Sequence, residues 1–422
     1  MLRTILADQQ AETHAIVAGA VPRDALKDGK FKLTRPGALV VTGVRRCGKS
    51  TLCHQLLRGS DYLYVNFDDE RLVSLRSADL QLVLDALLSL RPHTKTLLLD
   101  EVQNVARWEL FVNRLLRGGY RLVVTGSNSR LLSKELATHL TGRHQSLELF
   151  PFSFREVLLA RAIEPGATSL ARAAVDHELT RYLHEGGFPQ QVLLGYQAGE
   201  LRDQYDRIVS RDVVLRRRLR NPAVIKELAL LALSYSAQTF THQANARVLG
   251  LKGATTSKNY LEYLEEAYLL ATVRPYSAKV KEQIRLPRKL YAIDNGMLSA
   301  LHTRPTRDDG LFLETLVHQE LRRRGREIWT YLTPSCSVDF LLREGRDVVE
   351  LIQSCWSLAD PATERRELDA LIEAAKRTRC NQLTVITRDE RGERTIGSAR
   401  VSIVPIADWL LTDRATSPAS TL

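Results

Sequence analysis

Apolar residues run in short continuous blocks through the first third of the chain. ALVVTG, DYLYVNF, TKTLLLDE and YRLVVTGS, between residues 38 and 127, each read as a strand. The segments between them repeat at helical spacing. This alternation predicts a parallel sheet with crossover helices, and it stops near Phe150. Residues 151–220 read as mostly helical, with a loop at HEGGFPQ, and 221–300 as helix, turn, helix and two strands. From Leu311 the order becomes helix, three strands, helix, strand. The expected division is a helical segment over 1–36, an α/β core over 37–150, a helical lid over 151–220 and a small helix-turn-helix module over 221–300. A second α/β domain over 301–412 and a disordered tail over 413–422 complete it.

Charge adds one constraint. Lys and Arg number 60 against 49 Asp and Glu, a formal excess of +11 that suits a polyanionic partner such as DNA. Cys47, Cys53, Cys336, Cys355 and Cys380 form no C-x-x-C pair, which argues against a zinc site and for a reduced, cytoplasmic setting. No uncharged apolar run reaches the length of a membrane span, so no membrane partner is expected.

The first chemical signal is GVRRCGKST, comprising Gly43, Val44, Arg45, Arg46, Cys47, Gly48, Lys49, Ser50 and Thr51. It fits G-x-x-x-x-G-K-[ST] between a strand and a helical pattern, where backbone N–H groups can surround a phosphate. Lys49 would reach the β- and γ-phosphates of ATP, and Ser50 would bind Mg²⁺. The strand TLLLDE ends in Asp100 and Glu101 beside this loop. Asp100 would hold Mg²⁺, and Glu101 would orient or deprotonate the attacking water, which points to hydrolysis rather than transfer.

With these strand ends the chain resembles AAA-type ATPases. LTGRHQSLELFPFSF (140–154), YLHEGGFPQ (182–190) and RDVVLR (211–216) are similar to the prokaryotic AAA-type ATPases that carry a C-terminal domain of unknown function. The resemblance implies that Asn66 restrains the catalytic Glu and that Asn128, with Ser127 as its rival, senses the γ-phosphate. It also implies that Arg143 is an arginine finger donated across the interface of a homo-oligomer, with a hexamer among the options.

Residues 239–277 and the strands LLATVRPY and RKLYAID follow the order of a winged helix-turn-helix, which the resemblance also implies. DNA reading would place Lys258 and Asn259 near bases and a basic loop with Lys279, Lys281 and Arg285 on phosphates. The acidic EYLEE opposes close approach along that whole helix.

The order from Leu311 onward is similar to restriction-endonuclease-like folds. That resemblance implies a metal site made of Glu314 on the helix, Asp339 on the second strand and Glu350 on the third. Ile352 stands where the catalytic lysine belongs, and Gln353, the nearest polar residue, should face away from Glu350. Two carboxylates are not expected to suffice for cleavage without that lysine.

The whole expectation is an α/β protein with a P-loop AAA-type ATPase core, helical lid, winged helix-turn-helix module and restriction-endonuclease-like C-terminal domain. Three functions stay open at this point: an ATP-driven DNA-processing machine, a nucleotide-dependent assembly switch, and a nucleotide-regulated transcription factor.

Overall fold

The structure is a computed structural model that describes residues 1–27, 31, 36–129, 144–301 and 308–412. It comprises two compact units, one spanning Met1–Phe152 with Glu266–Tyr268 and the other running from Ser153 onward without that short segment.

The first unit is built on a five-stranded parallel sheet ordered β2-β3-β4-β1-β5. Its strands are β1 (Gly37–Thr42), β2 (Leu63–Asn66), β3 (Thr96–Asp100), β4 (Arg121–Gly126) and β5 (His144–Glu148). The continuous apolar runs of β1, β3 and β4 are buried along nearly their whole length, as a sheet covered on both faces requires. Crossovers are supplied by α2 (Lys49–Leu56), α3 (Leu80–Leu90) and α4 (Trp108–Arg117). Leu84, Leu87, Phe111 and Leu115 of α3 and α4 belong to one apolar cluster with Leu97, Leu99, Leu122 and Val124.

The edge strand β2 is covered by the N-terminal helix α1 (Leu2–Val17) through two adjacent glutamines. Gln9 Oε1 accepts the Asn66 N–H at 3.0 Å, its Nε2 donates to the Asn66 carbonyl at 3.2 Å, and Gln10 Oε1 accepts the Tyr64 N–H at 3.0 Å. A helix thus satisfies the edge groups that an unpaired strand would leave open.

The second unit begins with a capping box, in which Ser153 and Glu156 exchange hydrogen bonds at the start of the helix Phe154–Ala160. Further helices lead to a three-stranded antiparallel sheet ordered β6-β8-β7, made of β6 (Thr239–Phe240), β7 (Leu270–Val273) and β8 (Arg288–Ala292). Helices His242–Val248 and Ala254–Glu266 lie between β6 and β7 in sequence. The expected basic loop contains a short helix, Val280–Arg285, whose N-cap residue Lys279 pairs with Glu282 inside the helix at 3.3 Å.

A six-stranded mixed sheet ordered β13-β14-β12-β11-β10-β9 completes the unit. Its strands are β9 (Glu327–Leu332), β10 (Ser337–Glu344), β11 (Asp347–Ser354), β12 (Leu383–Thr387), β13 (Gly392–Ile396) and β14 (Ala399–Pro405). The helix Pro361–Thr378 buries Leu368, Leu371 and Ala374 against Val338, Leu341, Leu351 and Val385. The two sheets are joined where Tyr276 N–H donates to the Thr330 carbonyl at 2.6 Å and Thr330 N–H to the Arg274 carbonyl at 3.0 Å.

The loop HEGGFPQ is fixed by a buried carboxylate. Asp294 accepts the N–H groups of Gly187 at 2.8 Å, Gly296 at 2.8 Å and Met297 at 3.2 Å. Burial pushes its carboxyl up to about 6 even with those donors.

Candidate functional site

The loop from Gly43 to Thr51 is a turn whose shape its glycines permit. Gly43 and Gly48 hold φ of 150° and 96°, and Gly48 is the left-handed cap from which α2 starts. A Cβ on Gly43 would lie 2.1 Å from the Leu149 carbonyl oxygen, so the strand must pass this point bare. Arg46 also takes a positive φ of 66°, while Val44 and Cys47 are buried beneath the loop. Cys47 Sγ donates to the Leu149 carbonyl at 3.4 Å, and Thr51 is half-buried on α2.

Two arginines brace this loop. Arg23 is buried and donates to the carbonyls of Cys47 at 2.8 Å and Phe150 at 2.6 Å, tying the loop to the segment after β5. Arg45 pairs with Asp68, just past β2, at 2.9 Å. Sequence reasoning missed Arg23, because its partners are backbone carbonyls that carry no sequence signature.

Asp100 and Glu101 emerge from β3 against the loop. Asp100 is buried, accepts hydrogen bonds from Thr125 and from the Tyr64 hydroxyl at 3.2 Å, and is also bonded by Ser50. Burial, then Glu101, pushes the Asp100 carboxyl up. Glu101 sits in the left-handed region at φ 50°, held there by its N–H donating to Thr125 Oγ1 at 3.0 Å. Its Oε2 accepts from Ser127 N–H at 3.2 Å, from Ser127 Oγ at 3.1 Å and from Gln103 Nε2. Its Oε1 lies 3.5 Å from Lys49 Nζ, which also donates to the carbonyls of Gly43 at 3.1 Å and Val44 at 3.2 Å. Burial raises the Glu101 carboxyl, but Lys49, Arg45, Gln103 and Ser127 outweigh it and hold it below its ordinary value. Burial likewise disfavours the Lys49 charge, and the nearby acids more than offset that.

Asn66 is not among the groups bonded to Glu101. Its side-chain oxygen accepts the Asp68 N–H at 2.9 Å in a local turn, and its backbone bonds go to Gln9. The groups that hold Glu101 are Ser127, Gln103 and Lys49. Asn128 is buried just past the end of β4. Arg143 lies outside the described residues.

These donors fit Mg²⁺-ATP. The bare Gly43 leaves the loop room to turn, Lys49 is placed to move onto phosphate, and the Ser50–Asp100 pair offers oxygen ligands of the kind Mg²⁺ takes.

The C-terminal acids are arranged differently from expectation. Glu314, on the helix Asp309–Arg323, and Asp339, on β10, are brought together by Lys289 of β8. Lys289 Nζ lies 2.5 Å from Glu314 Oε1 and 2.8 Å from Asp339 Oδ1. Glu350 is absent from this group and accepts from Thr384 Oγ1 at 2.9 Å, with burial pushing its carboxyl up. Gln353 turns to the helix Pro361–Thr378, where its Nε2 donates to Glu367 at 2.5 Å. The metal trio Glu314–Asp339–Glu350 is therefore not assembled, because the strand pairing sets Leu342, not Asp339, opposite Glu350. Among the described residues no cluster of three or more His, Cys, Asp and Glu side chains is placed to hold a metal ion. Ile352 is fully buried where the lysine was expected.

Comparison with known proteins follows this division. Residues 35–158 match the family described as AAA domain, and residues 176–308 match a domain of unknown function, DUF8612. The second match begins inside the helix Ser169–Glu185, covers the helices after it and the three-stranded sheet, and ends where the helix Asp309–Arg323 is about to begin. An uncharacterized protein of Methanocaldococcus jannaschii is 33% identical over 408 residues, spanning 92% of this chain and 91% of its own. An uncharacterized protein of Haemophilus influenzae is 27% identical over 388 residues, spanning 88% of this chain and 94% of its own. Among solved structures, a Walker-type ATPase of Pyrococcus abyssi is 14% identical with a TM-score of 0.44, covering 67% of this chain and 99% of its own. No helix among the described residues is long and apolar enough to cross a membrane.

Proposed function

The chain belongs to the prokaryotic AAA-type P-loop ATPases, and from that premise we propose that it hydrolyses Mg²⁺-ATP as a homo-oligomer acting on DNA. The observation that carries the hydrolytic part is Glu101. Its carboxylate is kept charged beside Lys49, within reach of the loop that would hold the triphosphate. Mg²⁺, held by Ser50 and Asp100, would draw charge from the phosphate oxygens.

The protein's own groups do the rest. Lys49 leaves the Gly43 and Val44 carbonyls for phosphate oxygens, which frees Glu101 from its ion pair. Glu101 then accepts a proton from water, while Ser127 and Gln103 fix the direction of its carboxylate. Thr125 braces both acids from β4, bonding Asp100 by its hydroxyl and the backbone of Glu101.

Arg143 enters as the finger from a neighbouring subunit. Arg143→Ala is expected to remove turnover and leave nucleotide affinity unchanged, as measured by fluorescent-nucleotide titration of the assembled protein. Loss of affinity instead would assign Arg143 to its own subunit's site.

DNA engagement rests on the +11 charge and on the module 221–300. Its order of helix, strand, two helices and then β7 and β8 with the short helix Val280–Arg285 between them supports the winged helix-turn-helix reading. Lys258 is exposed on the helix Ala254–Glu266 and is shared with Glu262 at 3.8 Å, which favours phosphate contact over base reading. The test is ATP turnover with and without duplex DNA, with the DNA checked for cleavage under Mg²⁺ and Mn²⁺. Stimulation by DNA without cleavage is the expected result. Turnover indifferent to DNA but rising steeply with protein concentration would replace this reading with an assembly switch.

A further inference from the structure

We propose that the ε-ammonium of Lys289 is the resident cation of the Glu314–Asp339 pair, so that this acid cluster takes no divalent metal and instead locks β8 to the C-terminal sheet. The inference is independent of the ATPase reading.

The geometry begins with strand alternation. Lys289 and Tyr291 are two positions apart on β8 and share one face, which is turned to the helix Asp309–Arg323 and to β10. The Tyr291 hydroxyl donates to Glu314 Oε1 at 2.6 Å, on the same oxygen that meets Lys289. The Tyr291 ring stacks on His318, with centroids 3.9 Å apart, and lies 5.7 Å from the Phe340 ring, which fixes the hydroxyl and walls the cluster.

Asp339 is spoken for on both oxygens. Oδ1 meets Lys289, and Oδ2 accepts the Ser354 N–H at 3.0 Å. Its own N–H donates to Gln353 Oε1 at 3.1 Å, so the backbone that carries the carboxylate is held as well. A divalent ion needs several oxygen lone pairs converging on one point at about 2.0–2.6 Å. Here they converge on an ammonium, and the third acid has turned to Thr384.

Charge makes the same point. Two carboxylates this close and this enclosed require a countercharge, and Lys289 is itself only 13% exposed. The lysine absent from β11, where Ile352 stands, has therefore not been replaced in its catalytic position. A lysine from another sheet occupies the place of the metal.

The test is calorimetric titration of the nucleotide-free full chain with MnCl2, paired with thermal unfolding. Wild type is expected to show no Mn²⁺ site that Asp339→Asn removes. Lys289→Met is expected to lose roughly 5 °C or more in Tm. It should also gain one saturable Mn²⁺ site, absent from Lys289→Met/Asp339→Asn, and Mn²⁺ should restore part of its Tm. Should Lys289→Met not fold, the triple change Lys289→Met/Glu314→Gln/Asp339→Asn, which strands no charge, is expected to fold. A wild-type Mn²⁺ site lost in Asp339→Asn would overturn the proposal. So would a Lys289→Met protein with unchanged Tm and no Mn²⁺ site, or a triple variant that also fails to fold.

Discussion

Glu101→Gln is expected to lower ATP turnover by roughly 10²–10⁴-fold while leaving nucleotide binding intact, the range by which a positioned general base contributes. Gln keeps the size of the side chain and an oxygen that can still accept from Ser127, so the loop around it should hold its shape. What it loses is the negative charge that takes the water's proton. Steady-state phosphate release together with equilibrium nucleotide binding checks both halves. Near-normal turnover would remove Glu101 from the role of base and leave Asp100 or a group outside the described residues to be considered. The left-handed backbone of Glu101 supports the assignment. Such a conformation costs on the order of 1 kcal/mol for a non-glycine residue and persists only where neighbours hold it, here Thr125.

Gly296→Ala is expected to destabilise the second unit by about 3 kcal/mol, through overpacking against backbone. A Cβ at Gly296 would stand 2.0 Å from the Glu185 carbonyl oxygen and 3.0 Å from Asp294 Oδ1. Neither can yield cheaply. Asp294 is pinned by the Gly187, Gly296 and Met297 N–H groups, and Glu185 is the last residue of the helix Ser169–Glu185. Gly199→Ala is the control, since a Cβ there meets nothing within 4 Å and helix propensity slightly favours alanine. Denaturant midpoints of the two variants against wild type decide it. Equal midpoints for Gly296→Ala and Gly199→Ala would show that the crossing of HEGGFPQ with Asp294 is not the tight joint described.

The parts legible in the sequence are those whose physics is local. The strands β1 to β4 could be read because a strand buried on both faces must be a continuous apolar run. The phosphate loop could be read because the left-handed turns at Gly43 and Gly48 tie particular residue types to fixed positions. Asp100 and Glu101 followed from their place at a strand end. The hairpin β13–β14 was not legible, since GERTI is an exposed edge strand whose polar pattern resembles a loop.

The partners of these acids were the least legible feature. Gln103 meets the Glu101 carboxylate two residues along, where Glu101 adopts a positive φ that no residue type in the sequence announces. Lys289 reaches Asp339 across 50 residues of sequence and from a different sheet, so no spacing rule points to it. The C-terminal chemistry therefore read as a nuclease site short of one lysine. The structure shows a lysine present and bonded to the two acids.

Mg²⁺-ATP turnover by the wild-type chain beside Lys49→Ala tests the central claim most directly. Wild type should release phosphate, and Lys49→Ala should fall to the background of the buffer. Absence of turnover in wild type with and without DNA, or equal turnover in the two proteins, would contradict it.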